Sequence, residues 1–437
     1  MKKKLMDFLE IFKKHSQDLY KALKESYDVN LWDYYHSEFK LVEKEINYFI
    51  KNLKKFRTAK DYPNNFANKF FNRSKSYHHP YGSCLFLLNQ AAPISKTILL
   101  LIGALACGNS LFVKLPHYTS EISKLIKCIF KEIFNDNFIY FINDHISEND
   151  LKSIYDFNFD LVFYSGNLSN AKTIMRIFSF RLTKVVLDIN GKNPVILDET
   201  ADLEKATKQI IWSKMMFAGL TSFSPSFLVI HESIIQVFLK HLKVEYDIQF
   251  GKGDKWNNIA KIDTQKNYDN IVAIYNKSLL KSRVIFGGSF ESKQRKIELT
   301  LVQVDDLKSA LLSQDISSPI LPVVIFNSFS DIAGIVKHND YPSCIYFFSK
   351  NKKRIQNLSS NLESRYFYIN NINMPFLKGF PLGGIKSSGN NLYSREESIN
   401  VFSYKKVEYK QKWDKKIKYK SFVEKTQKVK KKFKTTH

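Results

Sequence analysis

The pattern of apolar positions divides the first 190 residues into helices and strands. Apolar residues recur every three or four positions over DFLEIFKKHSQDLYKALKESY and again over WDYYHSEFKLVEKEINYFIKNLKKF, a spacing typical of amphipathic helices. The second helix is expected to end before Pro63. Beyond it, apolar runs of strand length alternate with helical patterns: GSCLFLLNQ, residues 97–108, SLFVKLP, EISKLIKCIFKEIF, FIYFIN, LVFYSG and KVVLDI. This alternation predicts an α/β fold with a parallel sheet between helices.

A second α/β block begins near residue 190. The helical pattern LEKATKQIIWSKMMFAG precedes the strand FLVIHES. Three further strands and a glycine-dense turn complete the block: PVVIF, SCIYFFS, RYFYIN and GFPLGGIKSSG. Because the chain has neither an internal repeat nor a long Pro/Ser linker, the two blocks are expected to pack as one compact unit.

Composition excludes several classes of protein. The 437 residues are 44% hydrophobic, which favours a globular chain with full cores. The longest apolar run, residues 97–108, is too short to span a bilayer, and the N-terminus lacks the apolar segment of a signal peptide. The four cysteines show no metal or disulfide spacing, and His78-His79 and the pair His231 and His241 lack the spacing of zinc ligands. We therefore expect a cytoplasmic protein without a metal site.

Net charge is uneven along the chain. The formal charge is +25, and residues 405–437 hold 14 Lys against three acidic residues. Only nine of the 67 basic residues are Arg, whereas proteins that bind phosphate specifically favour Arg forks. Most of the charge is therefore interpreted as compositional bias, although the tail KVKKKFK could contact RNA or an anionic membrane.

The order of the motifs resembles the aldehyde dehydrogenase superfamily, in particular its class 3-like branch with a short N-terminus. The resemblance extends to about Tyr404 and is carried by NLWDYYHSEFKLVEKEINYFI, PYGSCLFLLNQAAP, GALACGNSLFVK, FYSGNLSNAK, LDINGKNPVI, FAGLTSFSP, SSPILPVVIF and PLGGIKSSG. It implies an N-terminal doubly wound, Rossmann-like NAD(P)-binding domain and a second α/β catalytic domain. The implied boundaries are 1–187 for the cofactor domain, 188–385 for the catalytic domain, 386–404 for a bridging segment and 405–437 for the Lys-rich tail.

The resemblance also implies a set of catalytic positions. In the family a cysteine thiolate attacks the aldehyde, hydride passes to a nicotinamide, and a glutamate activates water to hydrolyse the thioester. Here Ser222 occupies the cysteine position and Asp188 the glutamate position, 34 residues apart as the family pattern requires. An unassisted serine hydroxyl is a poorer nucleophile than a thiol, and the aspartate carboxylate would fall roughly 1.5 Å short of the same water. Ala91 stands where the family has the asparagine that stabilises the oxyanion, a loss worth about 10²–10³ in rate.

The cofactor positions that the resemblance implies are mixed. Lys114 matches a lysine that binds the adenosine ribose, and Gly166 opens the turn under the pyrophosphate. Ala171 replaces that turn's second glycine, and its methyl would crowd the phosphate. Asp315 takes the place of the glutamate that binds the nicotinamide ribose, while Ser317 replaces an aromatic residue. NAD or NADP binding is therefore expected to be weakened.

Three functions remain open at this point. The first is a family oxidoreductase whose activity is weak or lost, probed by assaying a Ser222→Cys variant. The second retains aldehyde oxidation through another nucleophile or by hydride transfer from an aldehyde hydrate. The third is a scaffold or binding protein that uses the basic tail. A homodimer is expected, with SINVFSYKKVEYK as the candidate bridging strand.

Overall fold

The computed structural model describes residues 1–61, 72–88, 93–116, 119–143, 146–251, 255–339, 341–372, 380–411, 426 and 429. Ala91 and most of the Lys-rich tail lie outside these described residues. The chain divides into two compact units, of which one comprises residues 1–54 and 79–404 and the other residues 55–78 and 405–437. No helix within the described part is long and apolar enough to cross a membrane.

Fifteen α-helices are found in the described residues. They are α1 Lys2–Lys14, α2 Ser16–Tyr27, α3 Leu31–Asp33, α4 Lys40–Arg57, α5 Ser95–Cys107, α6 Ser120–Lys131, α7 Glu148–Tyr155, α8 Leu168–Ser179, α9 Leu203–Met215, α10 Ile235–Phe250, α11 Gln265–Ser278, α12 Ala310–Ser313, α13 Asp331–Lys337, α14 Lys352–Asn361 and α15 Glu396–Phe402. A π-helical turn, Tyr34–Phe39, joins α3 to α4, and 3-10 turns span Met216–Gly219, Glu232–Ile234, Lys255–Asn258 and Lys386–Ser388.

The strands of the described residues alternate with these helices. They are β1 Lys60–Asp61, β2 Asn72–Pro80, β3 Ser83–Leu88, β4 Ser110–Lys114, β5 Ile139–Phe141, β6 Leu161–Gly166, β7 Lys184–Ile189, β8 Pro194–Leu197, β9 Phe227–His231, β10 Ser282–Phe286, β11 Phe290–Glu291, β12 Lys296–Ile297, β13 Thr300–Val304, β14 Ile320–Phe326, β15 Cys344–Phe348, β16 Tyr366–Ile369, β17 Leu382–Gly383, β18 Leu392–Tyr393 and β19 Ser403–Gln411.

The first α/β block forms a five-stranded parallel sheet of order β5-β4-β3-β6-β7. The strand order reverses between β3 and β6, which makes this a doubly wound sheet with its switch point there. Helix α5 follows β3 and is buried on all sides, as its unbroken apolar run predicts. It ends at Gly108, whose φ of 100° is a left-handed cap that glycine adopts without strain.

The second block forms a seven-stranded sheet of order β10-β13-β14-β9-β8-β15-β16. Its neighbouring pairs are parallel except for the edge pair of β10 and β13, which is antiparallel. The carboxyl ends of parallel strands lie at one edge of a sheet, where open α/β folds bind their ligands. The two-sheet α/β architecture predicted from the alternating pattern is confirmed.

Two local predictions differ from the structure. The first N-terminal helix is broken at His15, which leaves helical geometry with φ −86° and ψ 6° and places its ring 3.2 Å from Glu132. The contact with Glu132 thus accompanies a break in the helix that the apolar spacing alone predicted to be continuous. The predicted strand SINVFSYKKVEYK begins only at Ser403, because residues 396–402 form α15.

The smaller unit contains the pairing of β1 with β2. These strands are antiparallel, with Lys60 opposite Ser76 and Asp61 opposite Lys75. They belong to a three-stranded sheet of order β1-β2-β19.

Candidate active site

Ser222 lies in the loop between α9 and β9, directly after a backbone under strain. Phe217 and Ala218 both adopt left-handed conformations, with φ of 50° and 51°, which are costly for residues other than glycine. Gly219 follows at φ 76°, and a Cβ there would stand 2.4 Å from the carbonyl oxygen of Ser318. The loop therefore lies too close to the backbone of Ser318 to leave room for a side chain at position 219. Such strain is typical of functional sites.

Side chains in and directly before strands of the second sheet fix this loop. The Asn193 amide donates a 2.8 Å hydrogen bond to the carbonyl of Ser222, and its oxygen accepts one of 3.0 Å from the Cys344 amide. The buried Tyr346 hydroxyl donates to the carbonyl of Phe223 at 2.7 Å. Because these bonds are to the backbone, they hold the loop whether position 222 is serine or cysteine.

Asp188 lies near the carboxyl end of β7, next to the same loop. It is only 4% exposed. Its Oδ2 accepts hydrogen bonds from the Tyr393 hydroxyl at 2.9 Å and the Ser165 hydroxyl at 3.5 Å. The same oxygen forms an ion pair with the Lys96 ammonium. Three donors on one carboxylate oxygen hold Asp188 in a network that opposes its use as a general base for water.

Lys96 connects the two predicted catalytic positions. It lies at the start of α5, and its Nζ is 3.4 Å from Ser222 Oγ while it pairs with Asp188. The Lys96 side chain is 11% exposed. Sequence reasoning missed this residue, although a lysine at the start of the apolar run ISKTILLLIGALA was a visible signal.

A second buried carboxylate holds the helix that carries Lys96. Glu38, in the Tyr34–Phe39 turn, accepts a 2.5 Å hydrogen bond from the Ser95 amide at the first turn of α5. Burial raises the pKa of the Glu38 carboxyl to about 7. The position of Lys96 therefore depends on a carboxylate that belongs to the N-terminal helices.

On its other side Ser222 borders a small, polar cavity of about 20 Å³, enough for roughly one water. Asp315 and Ser317 line it, and the Ser317 hydroxyl donates to Asp315 at 3.1 Å. The Asn190 amide in turn lies 3.5 Å from the Ser317 hydroxyl. Lys214 also lines the cavity, and burial lowers its pKa to about 7. Asn190, Ser317 and Asp315 thus form one chain of polar contacts along this corner.

The predicted adenosine side of the cofactor site is a separate, larger cleft of about 420 Å³ along β3, β6 and α8. Lys114 lines this cleft. Gly166 ends β6, and a Cβ there would stand 2.3 Å from the Tyr164 hydroxyl. Ala171 is fully buried in the apolar cluster of the sheet and α8. The structure thus brings Ser222, Asp188 and Asp315 to one corner and places Lys114 on the cleft wall. The methyl group of Ala171 faces the apolar core, not the cleft.

Comparison with known proteins gives the family. A family model described as "Aldehyde dehydrogenase family" matches residues 2–407. This chain belongs to the aldehyde dehydrogenase family. The match spans both sheets and the candidate site, so the resemblance found in the sequence motifs is confirmed, and the protein is an oxidoreductase by family.

Its relatives within the family include class 3 members. The chain is 27% identical to a Staphylococcus aureus 4,4'-diaponeurosporen-aldehyde dehydrogenase, over 93% of this chain and 88% of the relative. It is 26% identical to the "Aldehyde dehydrogenase family 3 member A2" of Pongo abelii, over 85% of this chain and 76% of that protein.

Solved structures of the aldehyde dehydrogenase family share the fold. The structure described as "Substrate bound state of Staphylococcus Aureus AldH" superposes with a TM-score of 0.92 at 25% identity, covering 99% of this chain and 94% of that one. A Staphylococcus aureus betaine aldehyde dehydrogenase in complex with NAD⁺ superposes with a TM-score of 0.83 at 19% identity, covering 96% and 84%. The second likeness concerns the fold alone.

Proposed function

We propose that this protein is an aldehyde dehydrogenase scaffold in which oxidation of aldehydes by NAD or NADP is weak or lost. The observation that carries the proposal is the network around Asp188. Its Oδ2 accepts from Tyr393 and Ser165 and pairs with Lys96, which also approaches Ser222. A serine nucleophile needs a neighbouring base that takes its proton, whereas Ser222 faces an ammonium held by a carboxylate. General-base help is worth about 10²–10⁴ in rate.

The proposed cofactor is NAD or NADP, bound more weakly than in an intact family member. The cleft beside Lys114 has about 420 Å³, within the usual range for small-molecule sites, and lies near the switch point of a doubly wound sheet. Lys114 would hold the adenosine ribose, and Asp315 would face the nicotinamide ribose. When bound, the dinucleotide would supply the hydride acceptor. The bond of Asp315 with Ser317 competes with that second contact.

The proposed ligand is an aldehyde with an apolar body. A further cleft of about 470 Å³ is lined in part by Trp32, Trp212, Met215 and Met216. The two tryptophan rings meet edge to face at 5.8 Å, and the two methionines lead directly into the strained turn before Ser222. An aromatic and thioether lining suits an apolar ligand.

We also propose a homodimer and the domain boundaries at residues 187 and 385. Helix α10 presents three aliphatic side chains to solvent, Val237, Val244 and Ile248, which are 46%, 61% and 70% exposed. Their spacing places them on one stripe of the helix. Covering such a stripe with a second copy would bury apolar area. Sedimentation velocity of the full chain and a Val244→Lys variant tests this point.

The activity test compares the unmodified protein with Ser222→Cys, Ser222→Ala and the double variant Ser222→Cys/Lys96→Met. NAD(P)H formation is measured with hexanal and benzaldehyde, and nucleotide binding by calorimetry. We expect the unmodified protein and Ser222→Ala to be equally silent. If Ser222→Cys alone gains activity, the remaining groups are competent and position 222 is the main defect. A gain confined to the double variant would assign part of the defect to Lys96.

Rapid oxidation by the unmodified protein would contradict the proposal. The threshold is a turnover within the ordinary enzymatic range, about 1–10³ s⁻¹, that disappears in Ser222→Ala. Alkylation of the introduced thiol by iodoacetamide serves as a structural control. A cation beside a cysteine lowers its pKa, so Ser222→Cys is expected to react faster near pH 6 than the double variant.

A further inference from the structure

Lys96 places a primary amine beside Ser222, the position at which the family resemblance implies a nucleophilic thiol. Lys96 Nζ is 3.4 Å from Ser222 Oγ, so a carbonyl carbon held at position 222 would lie within reach of the amine. The Lys96 side chain is 11% exposed and that of Asp188 is 5% exposed. The amine is therefore shielded from bulk water but not sealed from it.

The groups around this amine match what imine formation requires. A carboxylate, Asp188, is paired with Lys96 and can accept its proton. The hydroxyl of Ser222 is adjacent and can donate to a carbonyl oxygen. The Tyr393 hydroxyl, 2.9 Å from Asp188 Oδ2, holds the carboxylate in place. An amine, a carboxylate counter-ion and a hydroxyl are thus collected in one partly dry corner.

We propose that Lys96 captures aldehydes reversibly as a protonated imine, with Asp188 as the counter-ion. This inference rests on the proposed function, because it assumes a pocket that admits aldehydes without oxidising them. The protein would then act as an aldehyde-binding member of the family, and its ligand class is the free aldehyde rather than an acid or an ester.

The step balances without an oxidant or a reductant. Asp188 takes a proton from the Lys96 ammonium, and the amine nitrogen adds to the carbonyl carbon to give a carbinolamine, while Ser222 donates its hydrogen bond to the carbonyl oxygen. The added nitrogen passes one proton to this oxygen and the Asp188 carboxyl returns the other. The carbon–oxygen bond then breaks, the oxygen leaves as water, and the nitrogen lone pair forms the carbon–nitrogen double bond. One positive charge is present on nitrogen before and after, so the Asp188 carboxylate retains its partner.

Two neighbouring groups are less suited to this role. Lys214 is 1% exposed, and its Nζ donates to the carbonyl of Pro225 at 2.7 Å. Ser222 could give only a hemiacetal, and its own base would have to be the lysine that Asp188 holds as an ammonium.

The test is reductive trapping on the full-length protein without nucleotide. Hexanal is added in equimolar amount with sodium cyanoborohydride, and the alkylated lysines are mapped by peptide mass spectrometry. The internal control is Lys124, a lysine 68% exposed that also pairs with a carboxylate, Glu121, at 2.7 Å. We expect Lys96 to be alkylated at least about tenfold more than Lys124, because its partners are pre-positioned.

Two variants sharpen the assignment. Lys96→Arg keeps a cation beside Asp188 but cannot form an imine, so total trapping is expected to fall to the level of the surface lysines. Asp188→Asn keeps the amine and is expected to reduce trapping at Lys96 relative to Lys124. Because the mapping on the unmodified protein needs no variant, a folding failure of either one leaves the main result standing.

The outcomes separate this inference from the proposed function. Trapping at Lys96 no greater than at Lys124 overturns the imine, and a parallel sample with NAD⁺ and NADP⁺ then shows which idea has failed. If no nucleotide is reduced in that sample, the imine alone is wrong. If nucleotide is reduced at an enzymatic rate, the proposed loss of oxidation is wrong as well.

Discussion

The cleft beside Lys114 and the corner around Ser222 differ in volume and in how their polar groups are paired. The cleft has about 420 Å³, whereas the cavity at the corner has about 20 Å³. At the corner an ion pair joins Lys96 to Asp188, and a hydrogen bond joins Ser317 to Asp315. The position of the cleft follows from the strand order of a doubly wound sheet, whose switch point opens a crevice beside it. Catalysis requires a nucleophile and a base that are able to react. At the corner, Asp188 is paired with Lys96, which also contacts Ser222.

The largest expected effect concerns the rigidity of the corner. Asn193 is 1% exposed and bonds through its side chain to the carbonyl of Ser222 and the amide of Cys344. Asn193→Ala leaves both buried backbone groups without these partners, so the free energy of unfolding is expected to fall by about 3–4 kcal/mol. Urea unfolding followed by circular dichroism measures the change.

The matched control is an exposed asparagine. Asn400 donates to Glu397 at 3.0 Å on the protein surface, and Asn400→Ala is expected to change the free energy of unfolding by less than about 0.5 kcal/mol. Equal losses in the two variants would mean that the side chain of Asn193 does not stabilise the loop, and the view of the corner as a rigid unit would have to be abandoned.

The next effect concerns the support of Lys96. Burial raises the pKa of Glu38 to about 7 in the folded protein, above about 4.3 in the unfolded chain. The folded state therefore binds the Glu38 proton more tightly than the unfolded chain does. The stabilisation from this protonated carboxyl is complete below about pH 4 and is lost as the pH rises to about 7. We expect Glu38→Gln to remove about 3 kcal/mol of the decline in unfolding free energy between pH 4 and 8.

Two residues check this assignment. Burial also raises the pKa of Glu45 to about 7, so part of the decline is expected to persist until Glu45→Gln is added. Glu43→Gln is the control, because Glu43 is 28% exposed and pairs with Lys13 at 2.7 Å. A pH profile of unfolding that is the same in Glu38→Gln as in the unmodified protein would exclude Glu38 as a titrating support of α5.

Much of the fold was predictable because its signals are local. The spacing of apolar residues marked the strands and helices of both sheets. A helix or strand that buries one face has apolar residues at a regular spacing, and a fully buried element has a continuous apolar run. The interval between Asp188 and Ser222, together with the family resemblance, pointed to one site for both. The break at His15 escaped prediction because it accompanies a contact with Glu132, which is distant in sequence.

The pairing of the site's polar groups could not be predicted in the same way. Lys96 and Ser222 are 126 residues apart, and Asn190 and Ser317 are 127 residues apart. A period or a motif carries no information about which distant side chain completes a hydrogen bond. The substitutions at positions 188 and 222 were visible in the sequence, but the lysine between them became evident only once α5 was placed against β7.

The smallest expected effect lies in the cleft and tests whether it still binds a nucleotide. Lys114→Ala removes a cationic donor from the cleft wall, so the dissociation constant for NAD⁺ or NADP⁺ is expected to rise about fivefold. The effect is modest because the lysine is partly exposed to water and its charge is screened. Lys152→Ala is the matched control, because Lys152 also lines the cleft but is more exposed to water than Lys114. This variant is expected to change the dissociation constant less than about twofold. Calorimetry that finds nucleotide binding unchanged in Lys114→Ala would show that the cleft does not use this lysine. The contrast between the cleft and the corner would then rest on their volumes alone.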